Sequence, residues 1–179
     1  EAMQNVPFPA TADAVRAKYL ENLFDAPIAE HRIPTMDNYN IGIQLISPNA
    51  QAVQYEHNRD KAVEFAVKIN DMTEEFISQA PDRLKGMAVL PMQDPKAAAE
   101  ELERCVKEKG FVSAFIHGQT GLGEYPYYDD PVYDVVWAKM TELDIPIYIH
   151  PRSPEADQVR AFDGCDELLG NTWDWGFVT

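Results

Sequence analysis

Four histidines, His31, His57, His117 and His150, are the side chains in this sequence best suited to metal binding or proton transfer near neutral pH. Two of them close short apolar runs: His117 ends 111–117 (FVSAFIH) and His150 ends 145–150 (IPIYIH). For His150 a functional role is favoured over simple packing, because its run is strongly apolar and Pro151-Arg152 follows at once. The competing reading of either histidine is a ring hydrogen-bonded to a neighbouring loop, with no ligand. His31 and His57 lie in helix-like or loop sequence and read as surface residues.

Other chemistries find little support. There is no G-x-S-x-G, no CxxC and no H-E-x-x-H, which removes the sequence basis for serine hydrolase, redox and zincin readings. The Gly-rich stretch 118–130 (GQTGLGEYPYYDD) lacks the Lys-Ser/Thr ending of a phosphate-cradling loop. Its tyrosines either wall an aromatic pocket or pack on a rim, and the second reading is the simpler. Cys105 and Cys165 cannot form a disulfide scaffold and suit a reducing compartment. Cys105 falls on the buried face of a helix, where a thiol is inert. Trp173 and Trp175 read equally as core, interface or site.

The elements that carry these residues alternate. Strands are expected at 41–47, 84–90, 111–117 and 145–150, each short, apolar and bounded by turn residues. Asp94-Pro95 and Asp130-Pro131 read as an N-cap followed by Pro in the first turn, and Gly110 stands where a helix C′ residue belongs. The first of these helices should bury Ala98, Leu102, Cys105 and Val106, and the second Val132, Val135, Val136, Met140 and Leu143. A helix over 59–79 should turn Ala62, Phe65, Ala66, Ile69, Met72 and Phe76 inward, and another is expected over 12–24. Within 28–40, Pro34 should break a continuous helix. Strands alternating with helices in this way imply βαβ units and a parallel sheet, whose working residues sit at the carboxyl ends of the strands. Those ends are Ser47-Pro48-Asn49, Pro91-Met92, His117-Gly118 and His150-Pro151-Arg152.

Charge narrows the partners. With 15 Lys and Arg against 30 Asp and Glu, the net charge of −15 would repel phosphates, so neither a nucleic-acid partner nor a polybasic membrane anchor is expected. No run reaches the roughly 18 apolar residues of a membrane span, and the opening residues do not read as a secretory signal. A cytoplasmic location follows as the expectation. The chain opens on Glu, not Met, which suggests processing or excision from something longer.

The stretch 83–154, from RLKGMAVLPMQDP through GFVSAFIHG to IPIYIHPRSP, resembles the amidohydrolase-related, metal-dependent decarboxylases. Within that group it is similar to the γ-resorcylate and 2,3-dihydroxybenzoate decarboxylases, relatives of aminocarboxymuconate-semialdehyde decarboxylase. The runs 43–54 (IQLISPNAQAVQ) and 168–179 (LLGNTWDWGFVT) share the likeness, and Tyr148-Ile149-His150-Pro151-Arg152 is its most specific part.

The resemblance implies an α/β chain of the (β/α)8 TIM-barrel family, of which 1–179 is a single, incomplete domain making up the first half to two-thirds. It implies one divalent metal, zinc or manganese with magnesium an option, and loss of CO2 from a hydroxylated benzoate, a small aromatic carboxylate. His150 matches a metal ligand of the family. Glu1-Ala2 is similar to the family's Glu-Glu-Ala opening, which puts the ligating carboxylate one residue ahead of Glu1, with Glu1 itself the alternative. Ser47, His117 and Arg152 are candidates for substrate binding, and His117 stands where members of the family tend to carry Asn, so its role stays open. The acid/base group is expected in a C-terminal part that this chain lacks. A barrel needs about 200 residues or more, so these residues alone are expected to be inactive, and the intact protein to be a homo-oligomer, a dimer or tetramer. The alternatives are a metal-dependent hydrolase of the same superfamily and a truncated, non-catalytic homologue acting as an interaction module.

Overall fold

The computed structural model describes residues 28–48, 51–118, 120 and 127–150. The chain divides into two compact units, Glu1–Ile43 and Gln44–Thr179. The helix expected over 12–24 lies outside the described residues.

In the first unit a π-helical turn, Ile28–Arg32, runs into α1, Ile33–Asn38. The expected break at Pro34 is not an interruption: the helical backbone runs on from 28 to 38, changing from π to α type just before Pro34, which falls in the first turn of α1. Beyond α1, Asn40 takes a left-handed φ of 54°, and the Ile41 N–H reaches back 2.8 Å to the Met36 carbonyl.

The second unit alternates strand and helix. β1 is Gln44–Ile46, followed by the short α2, Gln51–Gln54, and the long α3, Arg59–Ile77. β2 is Leu84–Val89, α4 is Pro95–Lys109 and β3 is Ser113–His117. A 3-10 turn, Pro131–Tyr133, then leads into α5, Asp134–Leu143, and β4, Ile147–His150. Among the described residues all three strand pairings are parallel, and the spatial order is β1-β2-β3-β4. Each strand adding beside its predecessor is how a (β/α) barrel grows; a doubly wound sheet would reverse direction at a switch point. Four strands are half of an eight-stranded cylinder.

Every strand is shorter than its apolar run. Phe111 and Val112 belong to the turn into β3, and the buried Phe111 ring lies so close to Gly86 that a Cβ there would sit 2.6 Å from it. A glycine in the middle of β2 is what permits this approach. The caps fall where expected: Asp94 accepts from the Ala97 N–H at 3.2 Å, Asp130 from the Val132 N–H at 2.9 Å, and Gly110 closes α4 with φ 68°.

Two helix faces differ from expectation. α3 buries Ala62, Ala66, Asn70, Thr73 and Ile77, whereas Phe65 and Met72 are 38% and 60% exposed. The stripe is rotated because the strand beneath has backbone to satisfy. Asn70 donates to the Val89 carbonyl and accepts from the Val89 N–H, both at 2.9 Å. Across the 3-10 turn and α5, Val132 and Val135 are exposed and Tyr133, Val136 and Met140 are buried. The turn leading into α5 is 3-10, with fewer residues per turn, which shifts the phase of the apolar stripe.

β2 is buried on both faces, from Met87 through Val89 and on into Leu90 beyond it, as a parallel strand inside a layered sheet must be. Val53, Ala62, Ala66 and Val89 form a core cluster against which Ile69 and Phe115 pack. Behind it lies a polar knot: the buried Glu101 receives Asn70 Nδ2 at 2.8 Å and a two-pronged Arg104 guanidinium at 2.7 and 2.8 Å. Arg104 and Lys109 also reach Asp71, each at 2.8 Å, joining α4 to α3.

Candidate functional site

Side chains of a strand alternate between the two faces of its sheet. Counting back from the ends of β3 and β4, His117 and Phe115 share one face, as do His150 and Tyr148. The pairing register sets Phe115 opposite Tyr148 and His117 opposite His150, so all four lie together at the carboxyl ends of neighbouring strands. The two imidazoles have ring centroids 5.3 Å apart at 83°. One step down, Phe115 stacks on Tyr148 at 5.5 Å and 12°, and its ring lies 5.5 Å from that of His150.

His117 is fully buried and His150 partly so. His117 is held from three sides. Its backbone N–H donates to Gln54 Oε1 at 2.7 Å, its ring stacks on Tyr55 at 6.0 Å, and Phe115 meets it edge-on at 5.9 Å. Gln54, also fully buried, turns its Nε2 toward the Leu90 carbonyl at 3.4 Å. Its carboxamide thus spans the gap where β2 and β3 part, standing in for the peptide group of an absent strand neighbour. Gln93, just past β2, anchors α2 in turn, donating from Nε2 to the Val53 and Glu56 carbonyls at 2.7 and 3.0 Å.

The other residues expected in a site fare differently. Ser47 lies just past β1, with β2 between that strand and β3, and its hydroxyl donates to the Pro48 carbonyl at 2.9 Å. Glu1, Arg152, Cys165, Trp173 and Trp175 lie outside the described residues. His31 and His57 are exposed. Cys105 is buried, and burial together with the neighbouring Glu101 carboxylate pushes its thiol pKa well up, away from the reactive thiolate. Tyr128 packs edge-on against Tyr133 and Trp137, and Trp137 Nε1 donates to its carbonyl at 3.1 Å, so this tyrosine is a packed rim residue.

Gln54, Tyr55 and Phe115 were not singled out from the sequence, and Tyr148 only as part of the family-like segment 148–152. A two-residue count back from each histidine finds Phe115 and Tyr148. Nothing local marks Gln54, which sits 63 positions from the amide it serves.

Imidazole nitrogens suit a borderline divalent ion, and two of them stand side by side here. Among the described residues no group of three or more His, Cys, Asp and Glu side chains gathers to hold a metal ion. The pair fits such an ion in donor chemistry, and in number it is part of a donor set.

Comparison with known proteins identifies the family. The chain is 45% identical over 149 residues to a γ-resorcylate decarboxylase of Rhizobium sp. MTP-10005, covering 82% of this chain and 46% of that protein. A crystal structure of 2,6-dihydroxybenzoate decarboxylase complexed with 2,6-dihydroxybenzoate superposes with a TM-score of 0.75 at 42% identity, covering 83% of this chain and 47% of that one. The dihydroxybenzoic acid decarboxylase of Polaromonas sp. JS666, with bound manganese and the inhibitor 2-nitroresorcinol, gives a TM-score of 0.76 at 42% identity, over 84% and 46% of the two chains. The chain spans about half the length of these relatives. The amidohydrolase family model matches residues 12–166. A parallel half-barrel and that match lead to one conclusion: this chain belongs to the amidohydrolase family.

Proposed function

We propose that the intact protein is a metal-dependent, non-oxidative decarboxylase of a hydroxylated benzoate of the γ-resorcylate type. The observation that carries this reading is His150 at the carboxyl end of β4 in a chain 42–45% identical to γ-resorcylate decarboxylases. The single-domain reading of 1–179 and a cytoplasmic homo-oligomer, dimer or tetramer, belong to the same proposal.

A bound divalent ion, manganese or zinc with magnesium the third option, would supply a Lewis acid and template for the substrate's carboxylate and ortho oxygen. His150 would hold it through a ring nitrogen, with Glu1 the alternative carboxylate ligand. Phe115 and Tyr148 offer an aromatic wall beside His150, which in the closed barrel would exclude water and so strengthen the charge interactions of the site. Ser47 and Arg152 are assigned to contacts with the substrate, and His117 faces the same strand-end site. Decarboxylation requires a proton on the ring carbon bearing the carboxylate, delivered by a general acid. We assign that acid to the part of the relatives' length beyond the matched segment.

Metal content and CO2 release from 2,6- and 2,3-dihydroxybenzoate, measured on the intact protein and on His150→Ala, test the reading. Stoichiometric metal and turnover are expected in the parent and loss of both in the variant. A variant that keeps its metal and its rate would overturn the assignment.

A further inference from the structure

The register that sets His117 opposite His150 brings a second nitrogen donor to the same strand-end face. Two imidazoles that share one ion at a metal–nitrogen distance of about 2.1 Å have ring centres about 5 Å apart. The rings of His117 and His150 are 5.3 Å apart before any ion is considered. His117 is also held firmly enough to serve as a ligand. It is fully buried, its backbone N–H is fixed by Gln54 at 2.7 Å, and its ring is bounded by Tyr55 on one side and Phe115 on another. A site held by its surroundings loses little freedom on binding, which is what a metal ligand requires.

We propose that His117 is a metal ligand alongside His150, so that the two strand ends form a two-imidazole clamp on one divalent ion. The inference rests on the decarboxylase reading only in taking a divalent ion to bind at His150. Its chemical consequence is selectivity. Imidazole favours cobalt and zinc over manganese and magnesium, which prefer oxygen donors. A second nitrogen at this position therefore biases the site toward the former pair. Gln54 acts through His117 as a positioning residue, because its carboxamide fixes the strand end from which the imidazole projects.

The test uses the intact protein, stripped of metal and titrated with Co2+ and with Mn2+. The parent, His117→Asn, His117→Gln and His150→Ala are compared, with thermal unfolding as the check on folding. Loss of a directly bound nitrogen should weaken Co2+ binding at least ~10-fold and Mn2+ binding less, and should change the visible absorption bands of the cobalt form. If the histidine is only a packed aromatic, His117→Asn and His117→Gln lower the melting temperature but leave the cobalt spectrum and the ratio of the two affinities as in the parent. That result overturns the proposal. His150→Ala separates this failure from failure of the site itself: loss of metal there, with none in the His117 variants, sinks the clamp alone. Retention of metal in all three sinks the metal site at His150 as well.

Discussion

Asn70 offers the sharpest test of how this half-barrel is held together. β1 ends with Ile46 opposite Gly86, three residues before Val89, so on that side no strand residue is paired with Val89. The Asn70 carboxamide meets the Val89 N–H and carbonyl at 2.9 Å each and gives its second amide proton to the buried Glu101 at 2.8 Å. Asn70→Ala leaves two backbone groups of a buried strand without their partner, at about 1–3 kcal/mol each, and removes one donor from a buried carboxylate. The expected loss is about 3–5 kcal/mol. Asn70→Asp should be at least as damaging, since it abolishes both donations and sets a second carboxylate against Glu101. Met72→Ala, on the exposed side of the same helix, should cost under about 0.5 kcal/mol. Urea unfolding of the intact protein measures all three, and hydrogen exchange at the Val89 amide reports the local effect. An Asn70→Ala protein within about 1 kcal/mol of the parent, with Val89 still protected, would refute the idea that a side chain replaces the missing strand partner.

Three further outcomes follow from the packing and charges. Gly86→Ala should destabilise the protein by about 1–3 kcal/mol, because its Cβ would meet the buried Phe111 ring, and Phe111→Leu should recover part of the loss when combined with it; thermal unfolding of the single and double variants decides. Asp71 is held below its ordinary pKa of 3.8, first by the hydrogen bond from Lys109 and then by that from Arg104. Its stabilising contribution is therefore complete above that value and is lost as pH falls through the lowered one, so Asp71→Asn should flatten the acid side of the stability profile. Because that carboxylate is half exposed, the effect should be small and should shrink further in high salt. Cys105 should resist iodoacetamide at pH 8 in the folded protein and react once unfolded, with mass spectrometry reading the label; rapid native labelling would contradict its burial.

Local chemistry explains why so much was legible from the sequence. Asp94-Pro95 and Asp130-Pro131 start helices, and Gly110 ends one, because caps and backbone dihedrals involve only neighbouring residues. Alternating apolar runs and helices identified the parallel sheet, and with it the strand ends where His117 and His150 would stand. The inward face of α3 was misread because Phe65 and Met72 are the more apolar choice, whereas the strand beneath needs the hydrogen bonds of Asn70.

Sequence by itself determined that two imidazoles would end up at strand termini. Only the tertiary structure decided that those termini are neighbours in register, that Phe115 stacks on Tyr148 beneath them, and that a glutamine from the segment after β1 pins one of them. The physical reason is distance along the chain. Which strand lies beside which, and at what offset, is fixed by closing loops of dozens of residues over a shared core, and no short stretch of sequence contains that information.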